Sequence, residues 1–197
     1  AIVLGVAYLA YIVHLLVVYS TAVKTMGGMN PFKFFKGMVP AMIFAFTSTS
    51  SVATLPLTKE CADGLGADPE YSSFILPLGA TINMDGTAIY MGVASIFIAS
   101  CYGINLTIGQ MLTIIFTATL ASIGTAGVSG AGMIMLAMVL QSVNLPVAGI
   151  GLIMGVDKLF DMGRTTLNIV GDASCTLVIT RAEQKKAAKL AAQSKQA

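Results

Sequence analysis

The sequence has little charge, a single histidine and no tryptophan. Only 10% of its 197 residues are charged, whereas 56% are hydrophobic and the mean hydropathy is +0.84. Soluble domains carry about 25% charged residues, so this composition excludes an ordinary soluble protein. The net charge of +2 is too small to indicate a nucleic-acid partner.

The residues of common enzyme and metal sites are also scarce. His14 lies alone in an apolar segment, where we expect a hydrogen-bonded structural imidazole, far in sequence from any nucleophile that would need a base. The sequence contains three scattered cysteines, Cys61, Cys101 and Cys175, and no CxxC pair, which argues against a disulfide framework and a zinc site. We therefore do not expect an enzyme.

The sequence consists mainly of long apolar stretches. Each is longer than the roughly 20 residues that a helix needs to cross a bilayer: Ala1–Val23, Tyr71–Tyr102, Gln110–Val143 and Leu145–Thr180. Basic residues cluster at Lys24, Lys33 and Lys36 and in the tail after Thr180, and such clusters favour the cytoplasmic side. The sequence predicts a multi-pass membrane protein. Because it opens on Ala1 inside an apolar helix, we expect it to be the C-terminal part of a longer chain.

Two apolar segments are interrupted at their centres. Gly37–Leu57 contains the hydroxyl run TSTSS, which ends at Ser51, and Gln110–Val143 contains the glycine-rich run ASIGTAGVSGAG. Irregular backbone at membrane depth is tolerated only inside protein or beside water, so both segments predict re-entrant helical hairpins. The alternatives are a polar continuous helix for the first and glycine-mediated helix packing for the second.

Each interrupted segment precedes a span with polar residues, GATINMDGT (Gly79–Thr87) or DKLFDMGRTTLNIVGD (Asp157–Asp172). Such a repeat is typical of transporters that bind near the bilayer midplane. We therefore predict an all-α membrane protein in which transmembrane helices, two re-entrant hairpins and two broken spans form an internal repeat. The expected order is a transmembrane helix (1–26), a cytoplasmic loop and first hairpin (27–70), a broken span with NMDG (71–103), a second hairpin (104–145), a last span with a polar stripe (146–181) and a cytoplasmic basic tail (182–197), either a solvated helix or a disordered end.

The last span carries charge that a membrane environment must compensate. At about 100° per residue, a helix places five polar residues on one narrow face and turns Lys158 away: Asp157, Asp161, Arg164, Asn168 and Asp172. Each ionisable residue at mid-membrane costs about 2.5–3.5 kcal/mol without a partner. An Asp161–Arg164 pair would still leave surplus carboxylates, which need protons or bound cations: Asp157, Asp172 and Asp85.

Sodium is favoured over protons because hard oxygen donors lie near NMDG, where Gly86 would allow an unwound helix to present carbonyl groups. The donors belong to Asn83, Asp85, Asn168 and Asp172. Proton coupling stays open. The guanidinium of Arg164 is a permanently charged fork that suits a carboxylate, so it indicates an anionic substrate.

The motifs resemble those of one transporter family. STSSVATLP, PLGATINMDGT, ASIGTAGVSGAG and DMGRTTLNIVGD occur in this order, and from about Leu15 to Arg181 the chain is similar to the C-terminal half of the glutamate/aspartate transporters, also called sodium:dicarboxylate symporters. The resemblance implies a transport domain that moves like an elevator against a trimeric scaffold, with the outer hairpin as gate. It also implies a homotrimeric full-length protein with multiple passes through the lipid bilayer of the plasma (inner) membrane.

The resemblance also implies residue roles. Arg164 would clamp the side-chain carboxylate of the substrate, and Asp161 would bind its amino group. Further substrate contacts are implied for Thr87, Thr165 and Asn168 and for the backbone of Ser51, Val128 and Gly132. Sodium, the expected coupling ion, would bind at one site formed by Gly79, Asn83, Asn168 and Asp172 and at another formed by Thr81, Ser122, Ile123 and Thr125. Asp85 with Asn83 resembles half of a third site, whose other ligands lie in an earlier span of the family.

Three positions depart from the family pattern. Val52 replaces a common serine and Ser129 a common proline, which implies altered gating or selectivity. Lys158 lies where a neutral residue is usual, and the sequence offers no explanation for it.

The expected function is secondary active transport, in which sodium drives uptake of an acidic amino acid or dicarboxylate such as aspartate or glutamate. Transport of cystine or a neutral amino acid, and proton coupling, are alternatives within transport. An ion-channel pore is the alternative from a different class, and it would show flux without saturable substrate exchange.

Overall fold

The computed structural model describes residues 2–194, and this part of the chain contains helices and no strand. The first helical stretch consists of α1 (Ile2–His14), a π-helical turn (Leu15–Tyr19) and α2 (Ser20–Thr25). In a π turn the hydrogen bonds join residues five apart, so such residues lie on the same side of the helix. The prediction of an all-α protein is confirmed for residues 2–194.

The hydroxyl run ends one helix and begins the next. α3 (Pro31–Ser48) has a proline at its first position and is capped by the side chain of Asn30. Thr49 then adopts a left-handed φ of 54°, and the side chain of Ser50 caps α4 (Ser51–Gly64). Because α3 and α4 pack against each other, they form a helical hairpin whose tip is residues 49–50.

The NMDG segment interrupts the next span. α5 (Pro69–Ile82) and α6 (Asp85–Cys101) are separated by residues 83–84. Gly86, which we expected to permit the unwinding, is already helical. It serves a different purpose, because a Cβ at this position would lie only 2.7 Å from the Cα of Arg164. The missing side chain lets α6 begin directly against the last helix.

A second hairpin follows. α7 (Ile108–Ile123) and α8 (Ala131–Ser142) pack together and are joined by residues 124–130. Gly130 ends this tip with a left-handed φ of 81°, which glycine adopts without strain. Both interrupted segments therefore form helix–turn–helix units, while their re-entrant placement in a bilayer stays a prediction.

The last segment is broken ahead of its polar residues. A 3₁₀ turn (Val147–Ile150) and the short α9 (Gly151–Met154) are followed by α10 (Asp157–Ser194). The break at residues 155–156 precedes the stripe, so the stripe itself lies in one continuous helix. The basic tail, as far as Ser194, is the exposed end of the same helix, which agrees with the solvated helix that we expected.

α10 is the centre of the fold. It packs against α1, α3, α4, α5 and α6, and most of its residues from 157 to 177 are buried. A helix surrounded in this way turns its polar face towards other protein elements and not towards lipid. The neighbouring hairpin tips and the broken span are therefore the partners available to the stripe.

Two helical stretches of residues 2–194 are long and apolar enough to cross a membrane, Ile2–Thr25 and Pro69–Cys101. Of the other two long apolar stretches, Gln110–Val143 was predicted to be interrupted at its glycine-rich run. Gln110–Val143 is divided into two shorter apolar helices by its hairpin tip, and the last stretch contains the charged face of α10.

Candidate functional site

The polar face predicted for the last span is buried. Its five residues are each at most 5% exposed: Asp157, Asp161, Arg164, Asn168 and Asp172. Lys158, predicted to point elsewhere, is exposed. Buried charges have to be satisfied by other protein groups or by a ligand, so the surroundings of this face define the candidate site.

The stripe forms one wall of a small cavity whose water-accessible volume is about 10 Å³. The other walls come from the two hairpin tips and from the first turns of α4 and α6. Every residue to which the resemblance assigns a substrate contact lines the cavity: Ser51, Thr87, Val128, Gly132, Asp161, Arg164, Thr165 and Asn168. The lining is completed by Thr49, Met84, Thr125, Ala126 and Gly127. The tertiary structure thus brings together residues that are far apart in the sequence.

Arg164 reaches this cavity with part of its guanidinium unpaired. Its Nε donates to Asp161 Oδ1 at 2.8 Å, and Nη2 lies 3.9 Å from Asp157 Oδ2. The guanidinium carbon is 4.6 Å from the centre of the Tyr90 ring, within the range of a cation–π contact. Nη1 is buried and has no hydrogen-bond partner among residues 2–194. It lies beside Gly132, where any side chain would collide with it, so the surrounding structure leaves this donor open.

Asp161 is hydrogen-bonded by two elements. Its Oδ1 accepts from Arg164 Nε and from the Thr165 hydroxyl, the latter at 3.2 Å. Its Oδ2 accepts from the Gly130 N–H at 2.8 Å and from the Ser129 hydroxyl at 3.2 Å. Ser129 and Gly130 belong to the second hairpin tip, so an amino group that binds Asp161 has to replace donors of this tip.

The residues of one predicted sodium site meet beside the break between α5 and α6. Asn83 Nδ2 donates to Asp172 Oδ1 at 2.8 Å and to the Asn168 carbonyl at 3.2 Å. Gly79 lies so close to Asp172 that a Cβ would overlap its carboxylate. The Asn168 side chain in turn accepts from the Gly86 N–H at 2.8 Å. Carboxylate, amide and carbonyl oxygens, the ligands that hard cations prefer, are therefore gathered here.

The second set of predicted sodium ligands is less closely joined. The Ser122 and Thr125 hydroxyls donate to carbonyls of α7 at 2.8 and 2.9 Å. The Thr81 hydroxyl donates within α5 at 2.8 Å, and Ile123 is 48% exposed. Within residues 2–194 no side-chain hydrogen bond joins Thr81 to this hairpin.

Asp85 faces the first helical stretch and not Asn83. Its Oδ2 accepts from the Tyr19 hydroxyl at 2.9 Å and lies 3.2 Å from His14 Nε2. The π turn places His14 and Tyr19 on one side, with ring centres 5.0 Å apart. The expectation of a hydrogen-bonded structural imidazole is confirmed. The side chains of Asp85 and Asn83 have different hydrogen-bond partners, and the half-site that the resemblance implied stays a prediction.

Sequence reasoning missed three further residues of this region. Tyr90 lies against Arg164, Tyr19 binds Asp85, and the Met84 sulfur accepts from Asn168 Nδ2 at 3.1 Å. Aromatic and methionine side chains in an apolar span look like ordinary core residues. Of the three residues, Met84 alone could have been identified from the sequence, because it lies within NMDG.

Comparisons with known proteins agree with the motifs. Residues 1–182 match the Sodium:dicarboxylate symporter family. The chain is 45% identical over 175 residues to excitatory amino acid transporter 3 of Mus musculus, an alignment that covers 88% of this chain and 34% of that protein. It is 50% identical over 145 residues both to excitatory amino acid transporter 2 of Mus musculus and to an excitatory amino acid transporter of Caenorhabditis elegans. These alignments cover 73% of this chain and 25% and 29% of the two relatives.

The chain thus spans about a third or less of the length of these relatives. The family match nevertheless covers residues 1–182 and includes all four motifs. The relatives are named as transporters, not as enzymes, and transporters of this kind are integral membrane proteins. The chain therefore belongs to the sodium:dicarboxylate symporter family.

Proposed function

We propose that this chain forms the substrate-handling part of a secondary active transporter that couples sodium to the uptake of an acidic amino acid or dicarboxylate, such as aspartate or glutamate. One observation carries the proposal. Arg164 Nη1 is a buried cationic donor without a described partner, on a residue that lines the cavity between the hairpin tips and α10. A carboxylate is the ligand that best satisfies a guanidinium fork, and the family name refers to dicarboxylates.

In this proposal the distal carboxylate of the substrate binds Arg164 beside Gly132. The amino group binds Asp161 Oδ2 and takes the place of the donors from Ser129 and Gly130. Those donors hold the second hairpin tip against α10, so substrate binding changes what keeps the tip in place. The second tip therefore acts as the gate. Polar and backbone groups complete the contacts at Ser51, Thr87, Val128, Thr165 and Asn168.

Sodium is co-transported through a site formed by Gly79, Asn83, Asn168 and Asp172. The Asp172 carboxylate is only 3% exposed, and a cation at this position would compensate its charge. Asn168 lines the substrate cavity and its carbonyl also accepts from Asn83. Two ligands that share a residue influence each other reciprocally, which couples sodium to substrate. A second sodium site involves Thr81, Ser122, Ile123 and Thr125.

The hairpins enter the membrane from opposite sides and meet at their tips in this proposal. The Val52 N–H and the Ser50 hydroxyl both donate to the Gly127 carbonyl, at 3.2 and 2.9 Å. Polar backbone at membrane depth has to be satisfied inside the protein, and this contact satisfies part of both tips. We further propose that the full-length protein is a homotrimer in the plasma (inner) membrane, in which this domain moves like an elevator.

Uptake into liposomes tests the proposal. The full-length protein is reconstituted, a sodium gradient is imposed, and labelled aspartate, glutamate and cystine are supplied at equal concentrations. We expect saturable uptake of aspartate or glutamate that stops when the sodium gradient is collapsed, with protein-free liposomes as the control. Uptake driven by a proton gradient alone, saturable uptake of cystine only, or flux that does not saturate would each contradict the proposal.

A further inference from the structure

Lys158 connects the tips of the two hairpins. α10 turns this residue away from the cavity, yet its ammonium donates to the Thr49 hydroxyl of the first tip and, at 3.1 Å, to the Ser129 hydroxyl of the second tip. No carboxylate among residues 2–194 lies within ion-pair distance of this ammonium. The two hydroxyls are therefore the groups that bind the Lys158 ammonium in this part of the chain. We call Thr49, Lys158 and Ser129 the lysine bridge.

Each of the two hydroxyls also donates a hydrogen bond to another group. The Ser129 hydroxyl donates to Asp161 Oδ2 at 3.2 Å, and the Thr49 hydroxyl donates to the Ser48 carbonyl at 2.7 Å. A hydroxyl can accept one hydrogen bond while donating another, whereas an ammonium only donates, so the direction of every bond in this chain is determined. A residue without a side-chain hydroxyl at position 129 could make neither contact.

Among residues 2–194, the lysine bridge is one of two hydrogen-bonded connections between the tips. The other is the Gly127 carbonyl, which accepts from Val52 and Ser50. Thr49 is 1% exposed and has a left-handed φ of 54°, a conformation that residues other than glycine seldom adopt. Its hydroxyl donates to the Ser48 carbonyl and accepts from the Lys158 ammonium. Separating the tips requires both connections to break.

We propose that Lys158 is a positioning residue for the gate, which ties the second hairpin tip to the first and so sets how readily the cavity opens. Because Ser129 binds both Lys158 and Asp161, opening of the second tip breaks the bridge and the tip contact to Asp161 together. Lys158 and Ser129, which the resemblance singled out separately, are partners in one contact. The inference rests on the proposed function only in taking the second tip as the gate.

Hydrogen exchange tests the bridge without any transport assay. Lys158→Met keeps most of the side-chain length but removes every donor. In the full-length protein without substrate, we expect amide exchange in residues 49–54 and 124–131 to become about tenfold faster, since a hydrogen bond from a charged group is lost. Lys185→Met removes the same charge from the exposed tail helix. As the matched control, it should leave exchange at both tips unchanged.

Ser129→Ala provides a second variant. It breaks the bridge at the second tip, so residues 124–131 should exchange faster even though Lys158 is present. Ser129→Ala also removes the hydrogen bond to Asp161, and Lys158→Met also removes the one to Thr49. Because the two substitutions share the loss of the Lys158–Ser129 hydrogen bond, the double variant should show less than the product of the two single effects. Thermal unfolding of each variant verifies that it is folded. If Lys158→Met does not fold, Ser129→Ala decides, and unchanged exchange of its second tip overturns the proposal.

Three other results would also overturn the bridge: unchanged exchange at both tips in Lys158→Met, acceleration at only one tip, or single effects that multiply in the double variant. Failure of the proposed function is recognised separately. If liposomes take up no acidic substrate but exchange accelerates as described, the transport proposal fails and the bridge stands. If uptake proceeds but exchange does not change, the reverse holds.

Discussion

Replacing Arg164 by cysteine should abolish binding of acidic substrates and spare neutral ones. In the structure the guanidinium holds Asp161 through Nε at 2.8 Å and leaves Nη1 without a described partner. A substrate carboxylate at Nη1, with Nη2 as the second donor, would gain two charge-assisted hydrogen bonds. Serine has no side-chain carboxylate to place there, so it gains nothing from the guanidinium.

The magnitude follows from these two bonds. A hydrogen bond to a charged group contributes about 1.5–3 kcal/mol, so losing two predicts a loss of about 3–6 kcal/mol, or at least about 10²-fold in affinity. The variant should still fold, because Asp161 keeps its hydrogen bonds from Gly130, Ser129 and Thr165. Asp161 and Asp157, whose oxygens lie 2.8 Å from Nε and 3.9 Å from Nη2, both lose their cationic neighbour.

The assay is the affinity of the full-length protein for aspartate, glutamate, cystine and serine, measured by ligand-induced thermal stabilisation so that loss of transport does not hide binding. Arg164→Lys is the matched control. This variant keeps the positive charge but loses the two parallel donors of the guanidinium. It should therefore weaken the binding of acidic substrates less than Arg164→Cys does. An equal loss of affinity for all four ligands, or no loss of affinity for aspartate, would refute the proposal that Arg164 binds the substrate carboxylate. Arg164 would then be a structural counter-ion of Asp161.

Asp172→Asn should raise the sodium concentration needed for substrate binding, because the ion loses a carboxylate while the side-chain shape is kept; an unchanged sodium dependence would place the ion elsewhere. Glu70→Cys in a cysteine-free background should react with a membrane-impermeant maleimide only from the cytoplasmic side, because residue 70 is exposed; labelling from outside alone would contradict the re-entrant first hairpin. Gly132→Ala should weaken aspartate binding by roughly tenfold or more, since its Cβ would collide with the clamp guanidinium. Gly92→Ala, at a helical position with open space around it, should bind normally, and equal affinities for the two glycine variants would show that the guanidinium moves aside freely.

The sequence by itself determined where the helices end and which polar residues share a face. The hydroxyl run ends α3 because Ser50 caps the next helix, and the glycine-rich run separates α7 from α8. The stripe from Asp157 to Asp172 follows from helical periodicity alone. All of these effects act between residues a few positions apart, so local pattern is sufficient to predict them.

The tertiary structure alone decided which faces meet. Periodicity turned Lys158 away from the cavity, but its long side chain reaches Thr49, which is 109 residues away in sequence. Asp85 looked like a partner of its neighbour Asn83, yet it binds His14, 71 residues earlier. Gly86 was expected to unwind a helix and proved to admit the backbone of α10. Such pairings depend on how separate helices pack, and no short-range pattern records which distant side chains that packing brings within hydrogen-bond distance.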